Sequence, residues 1–154
     1  MLSEGDRVPD VKMIGMDGQP VSPTDFSGHK LVLYFYPKDD TTGCTREAQD
    51  FTALADEFEK AGCWVLGVSK DSPARHSKFV DKYGLKVRLA SDADGSACAA
   101  FGTWIEKSLY GRKYMGIDRA TFLIDRDGTI RRIWRKVKVA GHAEQVLEAA
   151  RELA

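Results

Sequence analysis

The chain has 154 residues, 43% of them hydrophobic and 30% charged, which is the balance of a globular domain and excludes a disordered or fibrous chain. Its 23 Lys+Arg stand against 23 Asp+Glu, so a general electrostatic pull toward nucleic acid or an anionic membrane is absent. Three cysteines (Cys44, Cys63, Cys98) with no C-x-x-C, and three histidines at no metal-ligand spacing, exclude a disulfide scaffold and point away from zinc.

The N-terminal segment Met-Leu-Ser-Glu-Gly-Asp-Arg carries charges where a secretory leader needs an apolar run. The longest uncharged stretch, Gly95 to Ile105, is eleven residues, about half of what a membrane helix needs. The expectations are a cytoplasmic location and no membrane partner. No repeat or linker divides the chain, so residues 1–154 read as a single domain.

In chain order, Leu31 to Tyr36 (LVLYFY) is a continuous apolar run ended by Pro37, which predicts a buried central strand. Phe51, Leu54, Ala55 and Phe58 fall at i, i+3, i+4 and i+7 and predict a helix over residues 44–60, with Gly62 as its stop. Trp64 to Val68 reads as a second buried strand. Ser72-Pro73 supplies an N-cap followed by proline at the first helical position, opening a helix that Gly84 ends. A short strand follows, then a weaker helix over residues 94–101. Thr121 to Ile124 is a third buried strand. Asp127-Gly128 predicts a hairpin into a strand within residues 130–139. Val146, Leu147, Ala150 and Leu153 mark one face of a final helix over residues 143–153. The early strand-helix-strand steps require right-handed parallel crossovers. The fold class is therefore α/β, a mixed central sheet flanked by helices, and it matches the thioredoxin-like fold.

The chemistry converges on Pro37-Lys38-Asp39-Asp40-Thr41-Thr42-Gly43-Cys44. This segment leaves the carboxyl end of a buried strand and enters a helix, the usual place for a site on an open α/β sheet. It puts Cys44 at a helix N-terminus, where unpaired N–H groups favour the thiolate, which is the reactive species. Bringing a cysteine from ~8.5 to ~6 takes about 3.4 kcal/mol. A helix N-terminus supplies ~0.3–1 kcal/mol, at most about 2. A cation must contribute the rest, and arginine suits best because it stays charged. Arg46 is local; Arg75, Arg112 and Arg119 are distant in sequence but could return to the site.

Pro37-x-x-x-Thr41-x-x-Cys44 resembles the active-site motif of peroxiredoxins. The flanks Tyr34-Phe35-Tyr36-Pro37-Lys38 and Thr42-Gly43-Cys44-Thr45 are similar to the bacterioferritin comigratory protein (peroxiredoxin Q) branch. So are Phe101-Gly102-x-Trp104-x-Glu106-Lys107-Ser108, Gly116-Ile117-x-Arg119-x-Thr121-Phe122-Leu123-Ile124-Asp125 with Gly128, and Gly5-Asp6-x-x-Pro9-Asp10. The resemblance implies a thiol-dependent peroxidase acting on hydrogen peroxide and organic hydroperoxides. Cys44 would be the peroxidatic cysteine, cycling through a sulfenic acid. Thr41 would set its hydroxyl between sulfur and peroxide, Pro37 would shield the pocket from water, and Arg119 would be the cation required above. Electrons would come from thioredoxin, glutaredoxin or a small thiol. No cofactor or metal is implied, and a monomer or weak dimer is the expected state.

The chain departs from that branch where many members carry a resolving cysteine. Gln49 stands five residues after Cys44, and residues 76–82 contain no cysteine. Cys63 and Cys98 read as packing thiols, so one-cysteine chemistry with an external thiol is the expectation. The alternatives are a thiol–disulfide oxidoreductase, against which Thr41 stands in the place of a second cysteine, and a non-enzymatic interaction or holdase module. Among the remaining residues, Glu47 reads as a helix-capping acid, the alternative being a contact with the site, and Trp104 reads as a packing residue, the alternative being the site's edge. Tyr34-Phe35-Tyr36 read as core. His29, His76 and His142 read as surface residues. Arg131, Arg132, Arg135, Lys136 and Lys138 read as a solvated outer strand.

Overall fold

Two short strands, Met13–Gly15 (β1) and Pro20–Val21 (β2), open the computed structural model, which describes residues 1–154. After a 3₁₀ turn over Pro23–Phe26 comes the central strand, Lys30–Phe35 (β3), with all six residues buried. Thr42–Ala53 (α1) and Ala55–Lys60 (α2) follow. The single helix expected over 44–60 is thus two: Leu54, with φ −102° and ψ 9°, bends the chain so that Phe51 and Phe58 reach the same core. Cys63–Ser69 (β4), Pro73–Tyr83 (α3), Arg88–Ser91 (β5) and Ser96–Phe101 (α4) come next. Trp104–Leu109 (β6) and Arg112–Ile117 (β7) form a separate hairpin. Ala120–Ile124 (β8), Ile130–Trp134 (β9) and His142–Glu152 (α5) complete the chain.

The main sheet has the order β2-β1-β5-β4-β3-β8-β9. β3, β4 and β5 are parallel, while β8 pairs antiparallel with β3 and β9 antiparallel with β8. This is the mixed sheet that the hydrophobic runs predict. Strand alternation divides the core in two. Val32, Tyr34 and Tyr36 pack with Phe51, Phe58, Phe79 and the apolar side of α5. Leu31, Leu33 and Phe35 pack on the other face with Ala97, Cys98 and Phe101 of α4. Lys30, almost wholly buried, donates to the carbonyls of Ala150 (2.9 Å) and Leu153 (2.7 Å), placing its charge at the carboxyl end of α5.

Two histidines correct the surface reading. His76 is fully buried, held by Asp39 and the Ala90 carbonyl, and His142 is buried with Nε2 2.8 Å from the Thr121 hydroxyl. Polar partners across the fold engage both nitrogens of His76 and Nε2 of His142, and no local spacing announces such partners. His29 is exposed. The basic strip lies on the edge strand β9 and just beyond it, with Arg131 and Arg132 exposed. Arg135 turns inward and donates to the carbonyls of Phe101 and Gly102, where α4 ends.

Candidate active site

The segment from Tyr36 to Cys44 crosses from the carboxyl end of β3 to α1. Thr41 is the N-cap of α1, with extended backbone, and Cys44 is the third helical residue. The Thr41 side chain does not cap the helix; its hydroxyl donates instead to the Lys38 carbonyl at 2.8 Å. The proton of that hydroxyl is therefore spent, and Oγ1 presents lone pairs. Pro37 and Thr41 are exposed, and Cys44 is 2% exposed.

Of the four arginines, Arg119 reaches the sulfur. Its Nη2 lies 3.4 Å from Cys44 Sγ. At an effective dielectric of ~20, a unit charge at that distance attracts a thiolate by about 5 kcal/mol, several times what the helix terminus supplies. Arg119 sits between β7 and β8, its backbone pinned by the Val137 N–H donating to its carbonyl at 2.9 Å. Burial opposes its charge, but Glu47 and Cys44 facing it outweigh that and raise its hold on the proton. Arg75 instead donates to Asp71 (3.0 Å).

Glu47 corrects the capping assignment. It is 1% exposed and accepts from Arg119 Nη1 at 2.7 Å, while its Oε2 has no partner. Burial pushes its carboxyl up to about 7 even though Arg119 pulls the other way. Glu47 thus fixes the guanidinium from one side while Cys44 meets it from the other. The spacing carried a signal: Glu47 is i+3 from Cys44, on the same helix face. Tyr34 also borders this cluster. Its hydroxyl is buried without a partner, and burial, followed by the charges of Glu47 and Cys44, keeps it firmly protonated.

The other thiols lie elsewhere. Cys63 opens β4, paired with Lys30 at the start of β3, so the length of the sheet separates it from the Cys44 end. Cys98 packs in the core on the opposite face from Cys44. Burial pushes each thiol up to about 12. All three cysteines are free. Trp104 is 40% exposed with Lys70 Nζ 4.5 Å above its ring. Two cavities, of about 780 and 460 Å³, open around Trp64 and Arg88, and Cys44 lines neither. No helix is long and apolar enough to cross a membrane.

Comparison with known proteins agrees with this geometry. The AhpC/TSA family model matches residues 5–133. The chain is 53% identical over 123 residues to peroxiredoxin Bcp of Xanthomonas campestris, covering 80% of this chain and 77% of that one. It is 46% identical over 146 residues to a putative peroxiredoxin of Coxiella burnetii, covering 95% and 97%. Among solved structures, the Xanthomonas campestris bacterioferritin comigratory protein superposes with a TM-score of 0.87 at 43% identity, covering 94% of this chain and 97% of that one; it was described through trapped intermediate and ligand complexes bearing on alkyl peroxide reduction.

Proposed function

The chain belongs to the AhpC/TSA family and is a thiol-dependent peroxidase, and we propose that Cys44 is its peroxidatic sulfur, served by Arg119, Thr41 and Pro37. The observation that carries this reading is the 3.4 Å approach of Arg119 Nη2 to Cys44 Sγ in the first turn of α1. The thiolate attacks the terminal oxygen of a hydroperoxide. An S–O bond forms and the O–O bond breaks. Cys44 is oxidised by two electrons to the sulfenic acid, and the peroxide is reduced to an alkoxide that takes up a proton and leaves as the alcohol, or as water from hydrogen peroxide. Negative charge moves from sulfur to the leaving oxygen, and a guanidinium already fixed between Glu47 and Cys44 stabilises it without reorganising. Thr41 Oγ1, its own O–H donating to the Lys38 carbonyl, accepts from the O–H of the peroxide. Pro37, at the exposed rim, offers a ring with no N–H to hold water.

Resolution comes from outside the chain. The sulfenic acid condenses with a thiol, releasing water and leaving a mixed disulfide, and a second thiol frees Cys44. Thioredoxin, glutaredoxin or a small thiol of the cytoplasm serves as this reductant. Every group of the site comes from one chain, so a monomer or weak dimer suffices. No nucleic-acid partner is expected, since the chain is balanced in charge and part of the basic strip is engaged internally, Arg131 with Asp125 and Arg135 with the end of α4. The test is intact-mass analysis after one equivalent of peroxide, with and without a thiol-blocking reagent. We expect addition of one oxygen at Cys44, absent in Cys44→Ser. A stoichiometric Cys44–Cys98 or Cys44–Cys63 bridge on peptide mapping contradicts external resolution.

A further inference from the structure

The loop that carries Pro37 and Thr41 is tied down by residues that never touch the sulfur. Asp39 is 3% exposed, and its Oδ2 lies 2.6 Å from Nδ1 of His76 on α3, which is fully buried. Asp39 Oδ1 accepts from the Tyr36 hydroxyl at 2.5 Å. The other ring nitrogen of His76, Nε2, is 3.0 Å from the Ala90 carbonyl in β5. The Asp39 N–H donates to Asp71 Oδ2 (2.8 Å), which also accepts from Ser69 Oγ (2.7 Å).

The proton count of this chain is forced. The Ala90 carbonyl can only accept, so Nε2 must carry a proton. The 2.6 Å contact between Nδ1 and Oδ2 needs a second proton, whichever atom holds it. Asp39 and His76 together are therefore a neutral unit with both bonds made, and that unit joins the loop to α3 and β5. A buried polar network with every member satisfied is rigid. An exposed second tie, Asp40 to Lys82 (2.8 Å) and Tyr83 (2.5 Å), runs to the same helix.

We propose that His76 and Asp39 are positioning residues of the peroxidase, a buried clasp that sets Thr41 Oγ1 and the Pro37 ring over Cys44; the proposal rests on the reading of Cys44 given above. Asp39 is five residues before Cys44, with Thr41 between them. With the clasp opened, the loop keeps only the exposed Asp40 tie and the Asp39 N–H bond to Asp71, and Thr41 shifts away from the incoming peroxide. Arg119 and the N-terminus of α1, which hold the thiolate, are left in place.

The test is stopped-flow oxidation by hydrogen peroxide, with thiolate absorbance at 240 nm and circular dichroism on the same samples. Asp39→Ala and His76→Ala should slow Cys44 oxidation at least about tenfold, with thiolate absorbance at neutral pH unchanged. Asp39→Asn should recover to within about threefold, since its amide can donate to a neutral His76 while its oxygen still accepts from Tyr36. Should the alanine variants not fold, Tyr36→Phe removes the hydroxyl that donates to Asp39 and stands 3.4 Å from His76 Nδ1; it should slow oxidation by about threefold at unchanged thiolate absorbance. Folded Asp39→Ala, or failing that Tyr36→Phe, reacting at the wild-type rate overturns the clasp while the peroxidase reading stands. So does a rate loss matched by loss of thiolate. A wild-type protein that forms no sulfenic acid overturns both.

Discussion

Gly43 has little room for a side chain: a Cβ there would stand 3.2 Å from Arg119 Nη2, the nitrogen facing Cys44, which would have to give by a few tenths of an ångström. Gly43→Ala removes a helix-weakening residue, a gain of at most ~1 kcal/mol, yet it presses on the guanidinium. We expect stability to hold or rise while peroxide oxidation of Cys44 slows about tenfold, read by denaturant titration and stopped flow on one sample. The cysteine and the arginine of this cluster were legible from the sequence, one through the loop-to-helix junction and one through the block around residue 119. Glu47 reads as a cap from its place on the helix; its i+3 spacing puts it on the face of Cys44 but does not say that the residue returning there is Arg119. Asp39 and His76 were missed for a related reason. They meet across 37 residues, and a bond between a loop and a neighbouring helix leaves no periodicity behind.

Among the elements, the buried strands and longer helices were legible because their apolar runs have the right period and their ends carry caps. Ser72 accepts from the Arg75 N–H, and Gly84 ends α3 at φ +61°. The hairpin of β6 and β7 and the short strands β1 and β2 were not, since charged residues interrupt the hairpin and β1 and β2, at three and two residues, are too short to carry a period. Only main-chain pairing makes them strands. The contact between β3 and β4 is tight at Gly67, where a Cβ would lie 2.7 Å from Tyr34 Cζ and 2.9 Å from Leu89 Cδ2. The Tyr34 ring cannot yield, stacked on Phe51 at 4.8 Å between centroids. Gly67→Ala should therefore cost about 1–3 kcal/mol in denaturant unfolding, through overpacking rather than backbone strain.

For the whole molecule, two buried groups set opposing pH dependences. Glu47 titrates at about 7 in the fold against an ordinary 4.5, so the folded state holds its proton more tightly. Its contribution is full below pH ~4.5 and is lost as pH rises through about 7. His142 is lowered, by burial and then by Arg119, to about 4 from an ordinary 6.5. Its contribution is full above pH ~6.5 and is lost as pH falls toward about 4. Between pH ~4.5 and ~6.5 the two cancel, and the wild-type stability curve should be flat there. Glu47→Gln should expose the histidine limb, stability falling toward acid, and His142→Gln the reverse slope; two superimposable curves contradict this. The proposed mechanism places the chemistry on one sulfur, so replacing Cys63 and Cys98 by alanine should leave peroxide oxidation within about threefold of wild type. In that double-alanine background, the most direct measurement is the second-order rate constant for hydrogen peroxide oxidation of Cys44 at pH 7, with and without Arg119→Met. A loss of at least about 100-fold, or about 2.7 kcal/mol, in a folded variant is the predicted result. A folded Arg119→Met protein reacting within about threefold of its parent contradicts the claim that the guanidinium at 119 is what makes Cys44 reactive.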